Sequence, residues 1–251
     1  MTRILKIGGS ILTDKNREMA ARADEITRIA REISSSKSLD LVLVHGAGSF
    51  GHIPAKKYGL PEKFSQEGLR VTHSSVARLC DLVIDALGQA GVNCLPVHPL
   101  SCVFLRDGRI EGLFLDPIRE MQNDGIMPVL HGDVAMDIAR GAGIVSGDQL
   151  VTYLARALKA DIVAVGSNVD GVLVLGKPLA QITRAEYPEF ESAIGLSAGV
   201  DVTGGMRGKL LELLDLADIG IESVIFNAGT DGNIIRALNG ESAGTRIRRS
   251  T

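Results

Sequence analysis

The 251-residue chain has no tryptophan, and its aromatic content is only 4%. So few rings exclude a surface built to stack on successive bases. Basic residues are not in excess either: 27 Lys and Arg stand against 30 Asp and Glu, a formal net charge of -3. That balance excludes a generally basic nucleic-acid coat and leaves room only for a local basic pocket. Cysteine is sparse. Cys80, Cys94 and Cys102 are odd in number and lack CxxC spacing or paired histidines. This argues against a disulfide framework or a zinc site, and for small core residues in a reducing compartment. No apolar run approaches the roughly 18 residues of a membrane span. The start, MTRILKIGGS, does not read as a secretory signal. The expectation is a cytoplasmic protein with neither nucleic acid nor membrane as partner.

Glycine, by contrast, is plentiful at 29 residues, and it clusters where short apolar runs end. Residues 3–7 and 41–46 read as buried strands, and residues 22–33 carry Ile26, Ile29, Ala30 and Ile33 at the spacing of one helix face. A long helix is predicted over 65–90, stopped by Gly91, with a strand from Val92. Asp107-Gly108 between alternating segments predicts a hairpin over 104–114. A short helix, a strand near 126–134, a helix over 146–160 begun by Ser146, a strand at DIVAVG, a helix over 208–220 and a strand at SVIFNAG follow. The terminal GTRIR reads as an edge strand. Strands alternating with helices imply an α/β fold, a three-layer αβα sandwich with an open, mainly parallel sheet. One domain is expected over 1–251, with only a soft boundary near 137–147.

Ligands of such sheets bind beyond the carboxyl ends of the strands, so the glycine loops there are the candidate site. KIGGS (residues 6–10) lets backbone amides approach an anion between Lys6 and Lys15. HGAGSFGH (45–52) fits G-x-G-x-x-G, but the acidic residue a dinucleotide fold needs about 20 residues later is missing, so an anion cradle at a helix start fits better than NAD. Gly132-Asp133, SGDQL (146–150), SNVDG (167–171) and DVTGGMRGK (201–209) complete the set. Asp133, Asp148 and Asp170 suit turn or helix caps equally well. Five glycine-bearing loops with three lysines imply a site for several phosphates.

The ordered set KIGGS, HGAGSFGH, SGD, VDG and TGGMRGK resembles the amino acid kinase superfamily. Within it, GSFGH, which places His52 after the second glycine loop, and GHIPAKKYGL are similar to the isopentenyl phosphate kinases. Acetylglutamate, uridylate and aspartate kinases lack that histidine, whereas fosfomycin-phosphorylating kinases share a similar motif. The resemblance implies phosphorylation of isopentenyl phosphate by ATP with Mg²⁺, in a homodimer of a family that serves isoprenoid biosynthesis. It also implies an acceptor-binding part over about 1–140 and a nucleotide-binding part over about 141–251. It assigns Lys6, Lys15 and His52 to catalysis. Lys6, Ile7, Gly8, Gly9, Ser10, Gly48, Asp170, Gly205 and Lys209 go to ATP, and Ala47, His52 and Gly147 to the acceptor. No residue is assigned to the metal. Asn168 departs from the family, which more often has Asp there. An apolar stripe on the long helix, with Val76, Leu79 and Val83, is a candidate wall for an isoprenoid tail. His45, His73, His98 and His131 read as structural. Rival readings are a fosfomycin-type kinase, a non-catalytic nucleotide sensor and an NAD-dependent oxidoreductase.

Overall fold

A computed structural model describes residues 2–36, 40–194, 205–241 and 243–250. From the amino end come β1 (Arg3–Ile7), α1 (Gly9–Leu12), α2 (Ala23–Ser35), β2 (Leu41–His45), α3 (Gly48–Lys57), α4 (Gln66–Gln89) and β3 (Cys94–Pro96). The middle of the chain forms α5 (Pro99–Cys102), β4 (Val103–Arg106), β5 (Arg109–Leu113), α6 (Asp116–Asn123), β6 (Met127–His131), β7 (Asp133–Asp137) and β8 (Gly141–Val145). Then follow α7 (Gly147–Leu158), β9 (Ile162–Ser167), β10 (Leu173–Val174), β11 (Lys177–Pro178), β12 (Gln181–Ile182), α8 (Tyr187–Ile194), α9 (Gly205–Asp218), β13 (Glu222–Asn227), α10 (Asn233–Leu238) and β14 (Gly244–Ile247).

Eight strands make one sheet in the order β12-β14-β13-β9-β1-β2-β6-β3, all neighbours parallel except β13 and β14. Alternation along β1 sorts the layers. Ile4 joins the apolar cluster containing Leu150 and Leu154 of α7 and Leu210, Leu213 and Leu214 of α9. Leu5 and Ile7 join the opposite cluster, with Ile26, Ile29 and Ile33 of α2, Leu79 and Leu87 of α4, and Ile234 of α10. Lys6 is in phase with Ile4, so its side chain leaves the strand on the α7 and α9 face. Each fully buried aliphatic contributes about 1.5–3 kcal/mol, enough to fix that phase against a one-residue slip. The predicted sandwich is therefore what forms. Ser65 and Ser146 cap α4 and α7 by accepting from the amides of Gly68 and Gln149.

A second sheet, β5-β4-β7-β8, leans on the first. The predicted hairpin is β4–β5, with Asp107 and Gly108 at φ 50° and 77°. Asp137, buried at 3% exposure, ties two turns together: its carboxylate accepts from the amides of Asp107, Gly108, Ala139 and Arg140 at 2.7–3.2 Å. Burial alone would raise its pKa; the four amides outweigh burial and lower it. The stretch 137–147 holds the turn and second strand of the β7–β8 hairpin and the start of α7, so strand pairing runs through the soft boundary. GTRIR corresponds to β14, yet it is not the edge, because β12 pairs outside it. All three cysteines are unpaired thiols, and burial pushes Cys80 up to about 12.

Candidate active site

Strands β1, β2, β6 and β9 are neighbours and parallel, so their carboxyl ends open on one side. There a cleft of about 610 Å³ is lined by residues from every glycine loop named above. Four helices, α1, α3, α7 and α9, each begin on a glycine in its wall: Gly9, Gly48, Gly147 and Gly205. Helix starts present unpaired amides and the positive end of the dipole, and four of them aimed at one space make an anion site.

The first two loops are glycine-rich because they touch. A Cβ on Gly9 would lie 2.4 Å from the Gly48 amide nitrogen, and one on Gly46 would lie 2.5 Å from that of Gly9. Thr13 stitches the pair: its hydroxyl donates to the Gly9 carbonyl at 2.8 Å and accepts from the Ser49 amide at 3.0 Å. Below them the Gly46 amide donates to the Ile7 carbonyl at 2.9 Å.

Lys6, buried at 5% exposure, donates to Asp148 at 2.5 Å. Lys209 reaches the same carboxylate at 3.1 and 3.2 Å. Burial lowers the Lys6 pKa to about 8 against the pull of Asp148, with Lys209 pushing the same way as burial. Asp148 is half-buried, and the two ammonium groups outweigh its desolvation and hold it well below the usual carboxylate range. It is thus not a cap; Ser146 takes that role for α7. Lys15 and His52 are exposed and line the same cleft, as do Gly8, Ser10, Ala47 and Asn168. Ile7 and Asp170 do not line it. The Ile7 side chain is in the core, and Asp170 accepts from the Asn227 side chain at 2.9 Å, joining the loops after β9 and β13. Of DVTGGMRGK, residues 201–204 lie outside the described residues.

Ala55, Val76, Val134 and Ile144 line an apolar part of the cleft. The α4 stripe contributes Val76 alone: Leu79 and Val83 face the α2 side of the core. Two wall residues, Val134 and Ile144, come from the β7–β8 hairpin, and β8 (GAGIV) carries too few apolar residues to read as a strand. Asp133 also lines the cleft, buried, accepting from His73 Nδ1 at 2.9 Å, from the Val134 amide at 2.8 Å and, at the start of α5, from the Leu100 amide at 3.4 Å. Sequence reasoning missed its partner histidine, because His73 and Asp133 are 60 residues apart. Among the described residues, no three His, Cys, Asp or Glu side chains are grouped to hold a metal ion.

The model of the amino acid kinase family matches residues 1–227. An isopentenyl phosphate kinase from Haloferax volcanii is 40% identical, over 98% of both chains. One from Methanocaldococcus jannaschii is 36% identical, again over 98% of both. A solved isopentenyl phosphate kinase superposes with a TM-score of 0.86 at 34% identity, covering 98% of this chain and 100% of its own.

Proposed function

Because the chain belongs to the amino acid kinase family, we propose that this cleft transfers the terminal phosphoryl group of ATP to isopentenyl phosphate, giving isopentenyl diphosphate and ADP. The observation that carries the reading is the convergence of four helix starts and three lysines on a space that is apolar in one part. Two polyanions fit the first feature and a short hydrocarbon tail the second.

An oxygen of the acceptor phosphate attacks the γ-phosphorus, a new P–O bond forms, and the bond to the ADP oxygen breaks. With a second pKa of about 6 the acceptor is already a dianion at neutral pH, so no general base is required. The transition state is loose, and the protein's task is to hold two anions in line and neutralise the charge between them. Lys6 meets the transferring group and Lys15 the transition-state oxygens. Lys209 and the amides of Gly8, Gly9, Ser10, Gly48 and Gly205 hold the ATP phosphates. His52, with the amides of Ala47 and Gly147, holds the acceptor phosphate. Asp148 spaces the Lys6 and Lys209 ammonium groups by accepting from both. Ile7 serves through the carbonyl that supports Gly46, and Asp170 through the loop on the nucleotide side. Magnesium, when present, would be held by the ATP phosphates and would offset their charge, since Asp148 is engaged by two cations and among the described residues no carboxylate cage is grouped to hold it. In this reading the acceptor-binding part lies over about 1–140 and the nucleotide-binding part over about 141–251, with Lys6, Gly8, Gly9, Ser10 and Gly48 reaching ATP from the first and Gly147 reaching the acceptor from the second. A homodimer is the assembly implied, and sedimentation tests it. Among the described residues no helix is long and apolar enough to cross a membrane, in keeping with a cytoplasmic setting.

The test is ADP release with isopentenyl phosphate, dimethylallyl phosphate, fosfomycin and N-acetylglutamate side by side. Isopentenyl phosphate is expected to be turned over with the highest kcat/KM. A higher value on fosfomycin or N-acetylglutamate, or ATP binding with no ADP release on any of the four, overturns the reading.

A further inference from the structure

Two adjacent strands, β2 and β6, end in the same dipeptide, His45-Gly46 and His131-Gly132, and the histidines are in register. Each ring folds onto the carbonyl that follows it: Nδ1 lies 3.1 Å from the Gly46 oxygen in one and 3.1 Å from the Gly132 oxygen in the other. A carbonyl only accepts, so both Nδ1 atoms carry the proton. His131 Nε2 is then a lone pair, and His98 Nδ1, 2.8 Å away, donates into it. The rings stand in file. His45 stacks on His131 at 5.5 Å between centroids, His98 meets His131 edge-on at 5.1 Å, and His73 meets His98 at 5.6 Å.

His45 and His131 are fully buried, and burial lowers them to about 4 and about 3, so both are neutral near pH 7. Among the described residues, His45 Nε2 is buried and meets no hydrogen-bond partner. An unpaired buried nitrogen is a cost that Leu or Phe would avoid at this position. The polar use of the ring is its bond to the Gly46 carbonyl.

That carbonyl belongs to the peptide joining Gly46 to Ala47. In a trans peptide C=O and N–H point opposite ways. With the oxygen drawn beneath the loop, the Ala47 amide turns toward the cleft that Ala47 lines. Glycine on one side makes the alternative peptide orientation accessible, and that orientation would present an oxygen to an anion. We propose that His45, with its tautomer neighbour His131 held by His98, is a positioning residue for the acceptor: it locks the Gly46–Ala47 peptide so that the Ala47 amide meets the acceptor phosphate. This rests on the reading above, which gives Ala47 to the acceptor.

His45→Phe keeps the bulk and removes the donor, whereas His45→Asn keeps an amide N–H near the place of Nδ1. The Phe variant is expected to raise KM for isopentenyl phosphate about 10- to 100-fold, the worth of a hydrogen bond to a charged group, with KM for ATP within about twofold. The Asn variant recovers most of the loss. Unchanged acceptor KM in the Phe variant, or equal losses for Phe and Asn, overturns the proposal. Should His45→Phe not fold, His98→Leu, which removes the donor holding the His131 tautomer, is expected to show the same acceptor-only loss at smaller size; none refutes the file. Calorimetric binding of inorganic phosphate to wild type, Phe and Asn variants gives the same ranking without turnover. A wild type inert toward isopentenyl phosphate would thus sink the substrate assignment and leave the peptide lock to be judged by phosphate alone.

Discussion

Lys6 is the most constrained cation of the site, placed by strand phase and buried against Asp148. With its pKa lowered to about 8 by burial, it is protonated at pH 7 and loses its charge as pH rises through that value. In the free enzyme, kcat/KM for ATP is therefore expected to fall above about pH 8, because kcat/KM reports free-enzyme ionisations. Lys6→Arg should abolish this alkaline limb at reduced rate, and a pH–rate profile with the limb intact in that variant would assign it elsewhere. His52→Ala removes a donor assigned to the acceptor, so turnover of isopentenyl phosphate should drop about 10- to 100-fold while ATP affinity, read by calorimetry, stays within about twofold. Lys6, Lys15, Lys209 and His52 were legible as wall residues of the cleft because each flanks a glycine loop. Asp148 was not, since its partners lie 142 and 61 residues away in sequence. Neither was the histidine file, although VHG at 44–46 and LHG at 130–132 are a repeat that the register of two parallel strands turns into a stack.

Helices and strands were legible where period and caps agreed. α2, α4 and α7 each bury the stripe their spacing announces, and the two serines cap as their type suggests. α3 was harder to see: GSFGHIPAKK holds two glycines and a proline, which argue against a helix locally. Tertiary contact overrides that preference, because a Cβ on Gly51 would sit 2.4 Å from that of Ala47 and one on Gly48 2.2 Å from the Thr13 hydroxyl. The same crowding makes a prediction about the loops as a pair. Gly9→Ala must push α1 and α3 apart, since the obstacle is backbone, 2.4 Å away. A displacement near 1 Å costs about 100-fold in rate, so kcat/KM for both substrates should fall together. Loss confined to one substrate in steady-state kinetics would mean that the loops move independently.

At the scale of the molecule, β1 lies between β2 and β9, so one sheet carries strands from residues 1–140 and from residues 141–251 without a seam. One cooperative unfolding transition is expected. A non-hydrolysable ATP analogue at about 100 times its Kd should stabilise the fold by about 2.7 kcal/mol, raising Tm by about 5–10 °C for a chain of this size. Two calorimetric transitions, with only the later one moved by the nucleotide, would show that the parts melt separately. The sandwich was legible from the strand–helix rhythm, whereas the second sheet was only half so: β4–β5 declared itself through Asp-Gly, but β8 is glycine-rich and finds its place only by pairing with β7. A last consequence belongs to the lone acid shared by two bases. Asp148 answers to Lys6 and Lys209 at once, so a change there would disturb the grip on the transferring group and on the other nucleotide phosphates together. Directed evolution toward a bulkier alcohol phosphate or another nucleotide should leave position 148 untouched and accumulate its changes among Val76, Val134 and Ile144 or in the loop around Asn168.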